Sequence, residues 1–259
     1  MTEPSGSQVL SRGLEILDLL VHSREGLSAD QLAIQLGLHR SSMYRYLNTL
    51  TATGYAERSS GGAFRCGSKI LDLASFVLEK IDLRNIARPF LSALCERTQA
   101  TVHLCRLHGS EVVYLDKIET ERSLPIYSRV GGRAPAYCTG VGKALLSFVS
   151  PERLKRILAQ TEFRRYTPKT LCGAEELCRE LEDVRIKGYA LDVGEHEEGI
   201  HCVAVPIFDF YGEPVAAISV TDVPRRIIER ADELAGELRD VAEQISFHLG
   251  QRDGLAIER

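Results

Sequence analysis

Between His39 and Thr53, four side chains with polar or charged ends, Ser41, Tyr44, Arg45 and Asn48, recur at helical spacing. At about 100° per residue they share one side of a helix, opposite Met43, Leu47 and Leu50. Hydroxyl, amide and guanidinium groups on one face can hydrogen-bond phosphates and base edges. The same pattern also suits the solvated face of an ordinary amphipathic helix. A second group of residues suggests a ligand. Thr139-Gly140-Val141-Gly142 opens a helix with small residues, which would leave backbone N–H groups free to cradle a carboxylate. Ser219 and Thr221, two apart on a strand, point the same way, with Ile218 and Val220 on the other face. Asp192 alternates with Leu191 and Val193 near a strand end, and Cys202 lies in a run of small and β-branched residues. Each has a plainer reading: packing at a helix start, hydroxyls bonded to backbone, a buried thiol acting as a small hydrophobe.

The elements that must position these groups are legible in order. A helix is predicted from about Gln8 to Ser23, with Leu10, Leu14, Leu17 and Val21 in one stripe and Val9, Ile16 and Leu19 widening it. So broad an apolar surface suits a helix that packs on its domain and on a partner chain. Ser28 and Gln31 have capping-box spacing, and Gly37 ends that helix before the one beginning near His39. Two extended runs, Tyr55 to Arg58 and Ala63 to Cys66, flank Ser59-Ser60-Gly61-Gly62 as a hairpin. A hairpin after two such helices is a wing, with Arg58 and Arg65 on its arms. Ser68 to Lys80 reads as an apolar linker helix, and Asp82 caps another from Leu83 to about Thr98, where Pro89 predicts a kink or late start. Strands are expected over 101–108, 111–118, 124–130, 189–193, 200–208 and 215–221. Helices are expected over 139–149, 151–160, 174–187 and 227–249. Hairpin connections make the sheet largely antiparallel, so the fold class is α+β in two domains.

The chain has 259 residues, 44% hydrophobic and 26% charged, with a net charge of −4. It is no polycation, so any nucleic-acid site must be a local patch. Across 39–65, Arg40, Arg45, Arg58 and Arg65 face only Glu57, an excess of three positive charges. The seven cysteines are scattered with no CxxC pair, and the start MTEPSGSQ lacks a signal peptide's apolar core. No apolar run approaches a membrane span. These features predict a cytoplasmic protein with reduced thiols and no membrane partner.

Four segments, GLHRSSMYRYLNTLTATGY, GGRAPAYCTGVGKALLSF, LEDVRIKGYALDVGEHEEGIHCVAVPIFD and GEPVAAISVTD, stand in an order that resembles the IclR family of bacterial transcription regulators, from about Ser7 to Leu249. The resemblance implies a disordered arm (1–7), a winged helix-turn-helix (8–67), a linker helix (68–82), a GAF-like effector-binding domain (83–250) and a tail (251–259). It implies a homodimer, often paired into a tetramer on operator DNA, that controls catabolism of small acids or aromatic compounds as repressor or activator. Ligand binding would act through the linker helix. DNA contacts would fall to Arg40, Ser41, Ser42, Tyr44, Arg45, Asn48, Arg58 and Arg65. The effector, carboxylate-bearing or aromatic, would be lined by Gly140, Val141, Asp192, Cys202, Ser219 and Thr221, with Ile126 and Ala134 as apolar wall. His39, Ser42 and Tyr46 depart from the family's common Pro, Thr and Leu, and Tyr137 from its His.

Other motifs fail. GVGKA is neither a Walker loop nor a dinucleotide fingerprint, because Tyr137, Ala144 and Leu145 occupy required positions. Asp192, His196, His201 and Cys202 resemble metal ligands on paper, but adjacent strand residues His201 and Cys202 should face opposite ways, and Glu195 to Glu198 read as a solvated acidic loop. No cofactor is expected and no enzyme. The alternative is a GAF-like ligand-binding module, or a thiol enzyme built on Cys202, whose helical domain serves oligomerisation. The balanced charge of 1–67 is its best support.

Overall fold

Ser28 and Gln31 do form a capping box: Gln31 N donates to Ser28 Oγ at 3.2 Å and Ser28 N donates to Gln31 Oε1 at 2.8 Å. Two orphan donors at a helix start are thereby satisfied locally. The computed structural model describes residues 8–73, 82–123 and 125–251. The expected arm at 1–7, residues 74–81 of the linker, Leu124, and 252–259 of the tail lie outside the described residues. The chain divides into two units, Met1–Ile81 and Asp82–Arg259.

In the first unit, α1 (Gln8–His22), α2 (Ala29–Leu36) and α3 (Arg40–Ala52) surround a core of Ile16, Leu20, Leu32, Met43, Leu47, Ala56 and Phe64. Gly37 supplies the left-handed cap between α2 and α3, at φ 62°. The wing pairs β1 (Ala56–Arg58) with β2 (Phe64–Cys66), antiparallel, with Glu57 opposite Arg65. A third segment joins it: Leu27 and Phe64 exchange both backbone hydrogen bonds, at 2.9 and 2.8 Å. Gly26, at φ 82°, makes this possible, since a Cβ there would meet Phe64 O at 2.7 Å. A further helix, α4, begins at 69–73. Of the predicted α1 stripe, Leu10, Leu14 and Val21 stand exposed, with Val9 beside them, because Ile16 and Leu20 are the residues turned inward.

In the second unit Asp82 caps α5 (Leu83–Thr98), which starts on time and continues through Pro89. Then follow β3 (Thr101–His108), β4 (Glu111–Ile118), β5 (Arg133–Pro135), a 3-10 turn (Ala136–Cys138), α6 (Gly140–Leu146), α7 (Pro151–Gln160) and α8 (Ala174–Lys187). Last come β6 (Ala190–Val193), β7 (His201–Phe208), β8 (Pro214–Asp222), α9 (Pro224–Ile228) and α10 (Ala231–His248). The six strands run in the order β5-β4-β3-β8-β7-β6, every pair antiparallel. Strand alternation sorts the sheet. Val102, Leu104, Val203, Val205, Ile218 and Val220 share the face on which α5 and α10 pack, while Cys105, Ala190, Ala204 and Ala217 face α6.

The expected strand over 124–130 does not form: residues 125–130 are irregular. Pro125 lacks a donor, and pairing with β4 begins only at the glycines, where Gly131 N donates to Tyr114 O at 2.8 Å and Tyr114 N to Gly132 O at 3.1 Å. The strand is therefore β5, after them. The expected closing helix is two helices, interrupted where Arg230 leaves helical geometry at φ −123°, ψ 16°.

Candidate functional site

On α3, Ser41, Arg45 and Asn48 are exposed, and their side chains make no hydrogen bond or ion pair among the described residues. Ser42 is half-buried. Tyr44 belongs only in part to the open face: it packs on the core, edge-on to Phe64 at 6.5 Å. Arg40 is held in place, its guanidinium 5.8 Å from the Tyr44 ring centre and 2.9 Å from Asp30 Oδ1. Tyr46 also packs against the core, so that departure from the family pattern is turned away from the exposed face. On the wing, Arg58 lies over the Phe64 ring at 5.6 Å and Arg65 donates to Glu25 O at 3.2 Å. Strand alternation sends these two arginines to opposite faces of the hairpin. Of the four arginines expected to contact DNA, Arg45 is free of side-chain partners among the described residues, and Arg40, Arg58 and Arg65 are tethered.

The second unit holds a cavity of about 150 Å³ between the sheet and the start of α6. Ile126, Ala134, Gly140, Val141, Asp192, Cys202, Ser219 and Thr221 all line it. Register explains the convergence. Thr221, Cys202 and Asp192 stand in one row across β8, β7 and β6, and His103, Ser219 and Ala204 in the next. Gly140 closes the row from above, since a Cβ there would lie 2.5 Å from Cys202 Sγ. Asp192 Oδ1 accepts from Gly194 N at 3.0 Å and Glu195 N at 2.7 Å, which shapes the loop that follows β6. Burial pushes the Asp192 carboxyl up to about 7, against those two donors.

The cavity is also lined by Thr139, which the sequence placed at the helix opening, by His196, weighed there only as a metal ligand, and by His103, Tyr114, Tyr127, Ser128, Arg133, Glu197 and Ile200, which sequence reasoning missed. His103 is the most connected: its Nε2 shares a hydrogen bond with Ser128 Oγ at 2.8 Å, and its Nδ1 lies 3.3 Å from Thr221 Oγ1 and 3.5 Å from Ser219 Oγ. Burial, aided by the Lys117 charge, lowers the imidazole to about 3, so it is neutral near pH 7. His103 shares the inward face of β3 with Cys105, but only the pairing of β3 with β8 brings it to Ser219 and Thr221. Tyr137 is turned away. Its hydroxyl donates to Arg164 O at 2.7 Å and accepts from Arg164 N at 2.8 Å.

The acidic loop is not fully solvated as expected. Glu195 is 3% exposed and pairs with Lys143 of α6, itself 1% exposed, whose ammonium also reaches Glu180 of α8 at 3.0 Å. Burial works against the Lys143 charge, but Glu195 and Glu180 outweigh it and raise its pKa. Of the four residues from Glu195 to Glu198, only Glu198 is exposed. His201 lines a separate groove with Lys169 and Pro224, while Cys202 faces the cavity. Burial, reinforced by the Asp192 charge, raises the Cys202 thiol well above its ordinary range, and the neighbouring imidazole points elsewhere. An activated nucleophile needs the opposite on both counts. Among the described residues no group of three His, Cys, Asp or Glu side chains could hold a metal, and no helix is long and apolar enough to cross a membrane.

Comparison with known proteins agrees over both units. The IclR helix-turn-helix domain matches residues 9–60, and the C-terminal domain of the bacterial transcriptional regulator IclR matches residues 75–247. The HTH-type transcriptional regulator XynR of Escherichia coli (strain K12) is 34% identical over 253 residues, spanning 97% of this chain and 96% of its own. The crystal structure of Thermotoga maritima IclR has a TM-score of 0.64 at 39% identity, covering 93% of this chain and 98% of that one. An IclR homologue from Microbacterium hydrocarbonoxydans, crystallised with 4-hydroxybenzoate, has a TM-score of 0.60 at 26% identity, covering 94% and 99%.

The His103 geometry makes a stability prediction. An unfolded histidine titrates near 6.5, against about 3 here. Between those values the unfolded chain binds a proton that the folded chain does not, so His103 lowers stability as pH falls. His103→Gln lacks this loss. Its stability relative to the parent should rise by about 1 kcal/mol per pH unit between pH 6 and 4, read by urea unfolding. A constant offset across that range would contradict the buried neutral imidazole.

Proposed function

The chain belongs to the IclR family of bacterial transcriptional regulators, DNA-binding regulators and not enzymes, and from that premise we propose which residues read the operator and which take the effector. Arg45, with Ser41 and Asn48, enters the major groove. Ser42, Tyr44 and Arg40 flank the contact, and Arg58 and Arg65 reach phosphates. The observation that carries this is the Arg45 guanidinium on the open face of α3, exposed and without a hydrogen-bond or ion-pair partner among the described residues, while Arg40, Arg58 and Arg65 are tied to Asp30, Phe64 and Glu25. The boundaries are 8–67 for the DNA-binding domain, 68–82 for the linker and 83–250 for the effector domain.

The effector is a small organic molecule, carboxylate-bearing or aromatic, and occupies the cavity under α6. The homologue crystallised with 4-hydroxybenzoate, a ligand that is both, supports this class. Ligand binding shifts operator affinity by favouring one conformation of the regulator over another, and the controlled genes form a catabolic operon. The exposed stripe of Leu10, Leu14 and Val21 on α1 serves a homodimer, which pairs further on DNA.

Three outcomes are expected. Arg45→Ala should weaken binding to the DNA upstream of the chain's own gene by at least about tenfold in fluorescence anisotropy; wild-type affinity in that variant would remove α3's open face from the contact. In a thermal-shift screen of small carboxylic acids and aromatics, 4-hydroxybenzoate included, a ligand at a hundred times its Kd should stabilise by about 2.7 kcal/mol. Asp192→Asn, which keeps the acceptor for Gly194 and Glu195, and Ser219→Val should lose that shift while still binding DNA; a shift retained in both places the ligand elsewhere. Leu14→Glu should reduce the sedimentation coefficient from dimer to monomer, and an unchanged dimer would show that the stripe is not the contact.

A further inference from the structure

The loop between β6 and β7 carries His196, Glu197 and Ile200 to the cavity, yet has little to anchor it. Its sequence, Gly194 to Ile200, contains one large apolar residue, and Gly194 and Gly199 sit at φ 87° and 78°. Its placement therefore rests largely on polar contacts: Gly194 O accepts from Thr167 Oγ1 at 2.7 Å and the His196 ring lies 5.0 Å from that of Tyr166, but the largest share meet at Glu195. The Glu195 N–H donates to Asp192 Oδ1. Its carbonyl accepts from Thr170 Oγ1 at 2.7 Å. Its carboxylate is drawn away from the cavity and into the interior, where Oε1 meets the Lys143 ammonium and Oε2 has no hydrogen-bond partner among the described residues. Lys143 lies one turn along α6 from Gly140 and Val141, which form the opposite wall of the same cavity.

We propose that Lys143 and Glu195 are the positioning pair of the effector cavity: their buried ion pair locks the 194–200 loop, and with it Asp192, His196 and Glu197, to the helix that forms the facing wall. The inference rests on the reading of this cavity as the effector site. Stability alone does not account for the pair. A buried ion pair gains little over apolar residues of the same volume, whereas removing one partner leaves an uncompensated charge at high cost. A carboxylate with one oxygen unpartnered is a poor choice for stability. It is a good choice for register, because it satisfies itself only when the loop is seated on α6. Glu180 of α8 completes the lysine's second bond and fixes where the ammonium stands.

The test uses the full-length protein without ligand, so its outcome is independent of whether any small molecule fills the cavity. Lys143→Met alone should melt well below the parent. Lys143→Met/Glu195→Leu should recover most of that melting temperature. In the double variant, amides of 194–200 should exchange at least about tenfold faster than in the parent, with β3 and β8 unchanged. Cys202, mapped by peptide mass spectrometry, should be alkylated by iodoacetamide at least about tenfold faster. Parental exchange and alkylation in a stably folded double variant would overturn the proposal and leave the pair a packing feature of α6. If the double variant does not fold, Glu195→Gln, which keeps shape and loses charge, carries the same two readouts. Loosening of 194–200 supports the pair, and its absence refutes it. A loosened loop in a protein that no ligand stabilises would sink the effector reading and leave the positioning role standing.

Discussion

The second unit depends on how closely α6 lies against its own sheet. A Cβ on Gly142 would overlap the backbone of Ala136, and one on Gly140 would press on Cys202 Sγ and within 3.4 Å of the Ala204 Cβ. Glycine at 140 permits the approach to strands presenting Ala190, Ala204 and Ala217, and glycine at 142 lets α6 lie against the 3-10 turn that precedes it. Two consequences follow from that spacing. The first turn of the helix becomes the roof of a small polar cavity, and Lys143, next along, has nowhere to go but inward. A buried lysine is tolerated only with partners, and Glu195 and Glu180 are the partners within reach. The same pair of glycines thus sets the cavity's size and requires the ion pair beside it.

The first unit solves a different problem, presenting charge without letting it collapse onto the protein. Arg40, Arg58 and Arg65 are each tethered, to Asp30, to the Phe64 ring and to the Glu25 carbonyl. Exposed contacts of this kind contribute little to stability, but they reduce the rotamer freedom that a long side chain would otherwise lose on binding. The local excess of positive charge is smaller in effect than the sequence count implies, because Asp30, outside the stretch counted, pairs with Arg40. Phe64 ties these features together: it is the wing's core residue, the platform for Arg58, the edge contact of Tyr44 and the strand partner of Leu27. Wing, recognition helix and the entry to α2 therefore share one anchor.

What could be read from the sequence was what short-range physics dictates. The capping box at Ser28, the cap at Gly37 and the wing hairpin over 55–66 each involve residues within a few positions of one another. Alternation within one strand sufficed to pair Ser219 with Thr221 and to separate His201 from Cys202. The cavity's composition was another matter. All eight lining residues named in advance came from resemblance to a family or from such local patterns. His103 required knowing that β3 lies beside β8, and it meets Ser219 across 116 positions. The burial of Glu195 required Lys143, 52 positions away, in a stretch whose lysine looked like a failed phosphate loop. The misplaced strand at 124–130 failed for a related reason: which part of an extended run pairs is decided by the neighbouring strand, here Tyr114.

Those long-range contacts also set the cavity's charge. His103 is neutral, and Arg133 is occupied by Glu111 at 3.0 Å. Thr139 spends its hydroxyl proton on Pro135 O, while the hydroxyls of Ser219, Thr221 and Ser128 are grouped around one imidazole. The lining groups named here therefore present mainly dipoles, and Asp192, with its carboxyl near 7, is a buried group whose charge changes close to neutrality. Its linkage is opposite in sign to that of His103. A carboxyl raised from about 3.9 favours the folded state as pH falls from 7 towards 4, over a range where His103 opposes it. The folded cavity is thus buffered in stability while remaining sensitive in charge. A carboxylate-bearing ligand in this cavity, as proposed above, would meet an ionised Asp192 as a like charge and a protonated one as a donor, so its binding near neutral pH would draw a proton into the site and its affinity would fall as pH rises through the Asp192 titration.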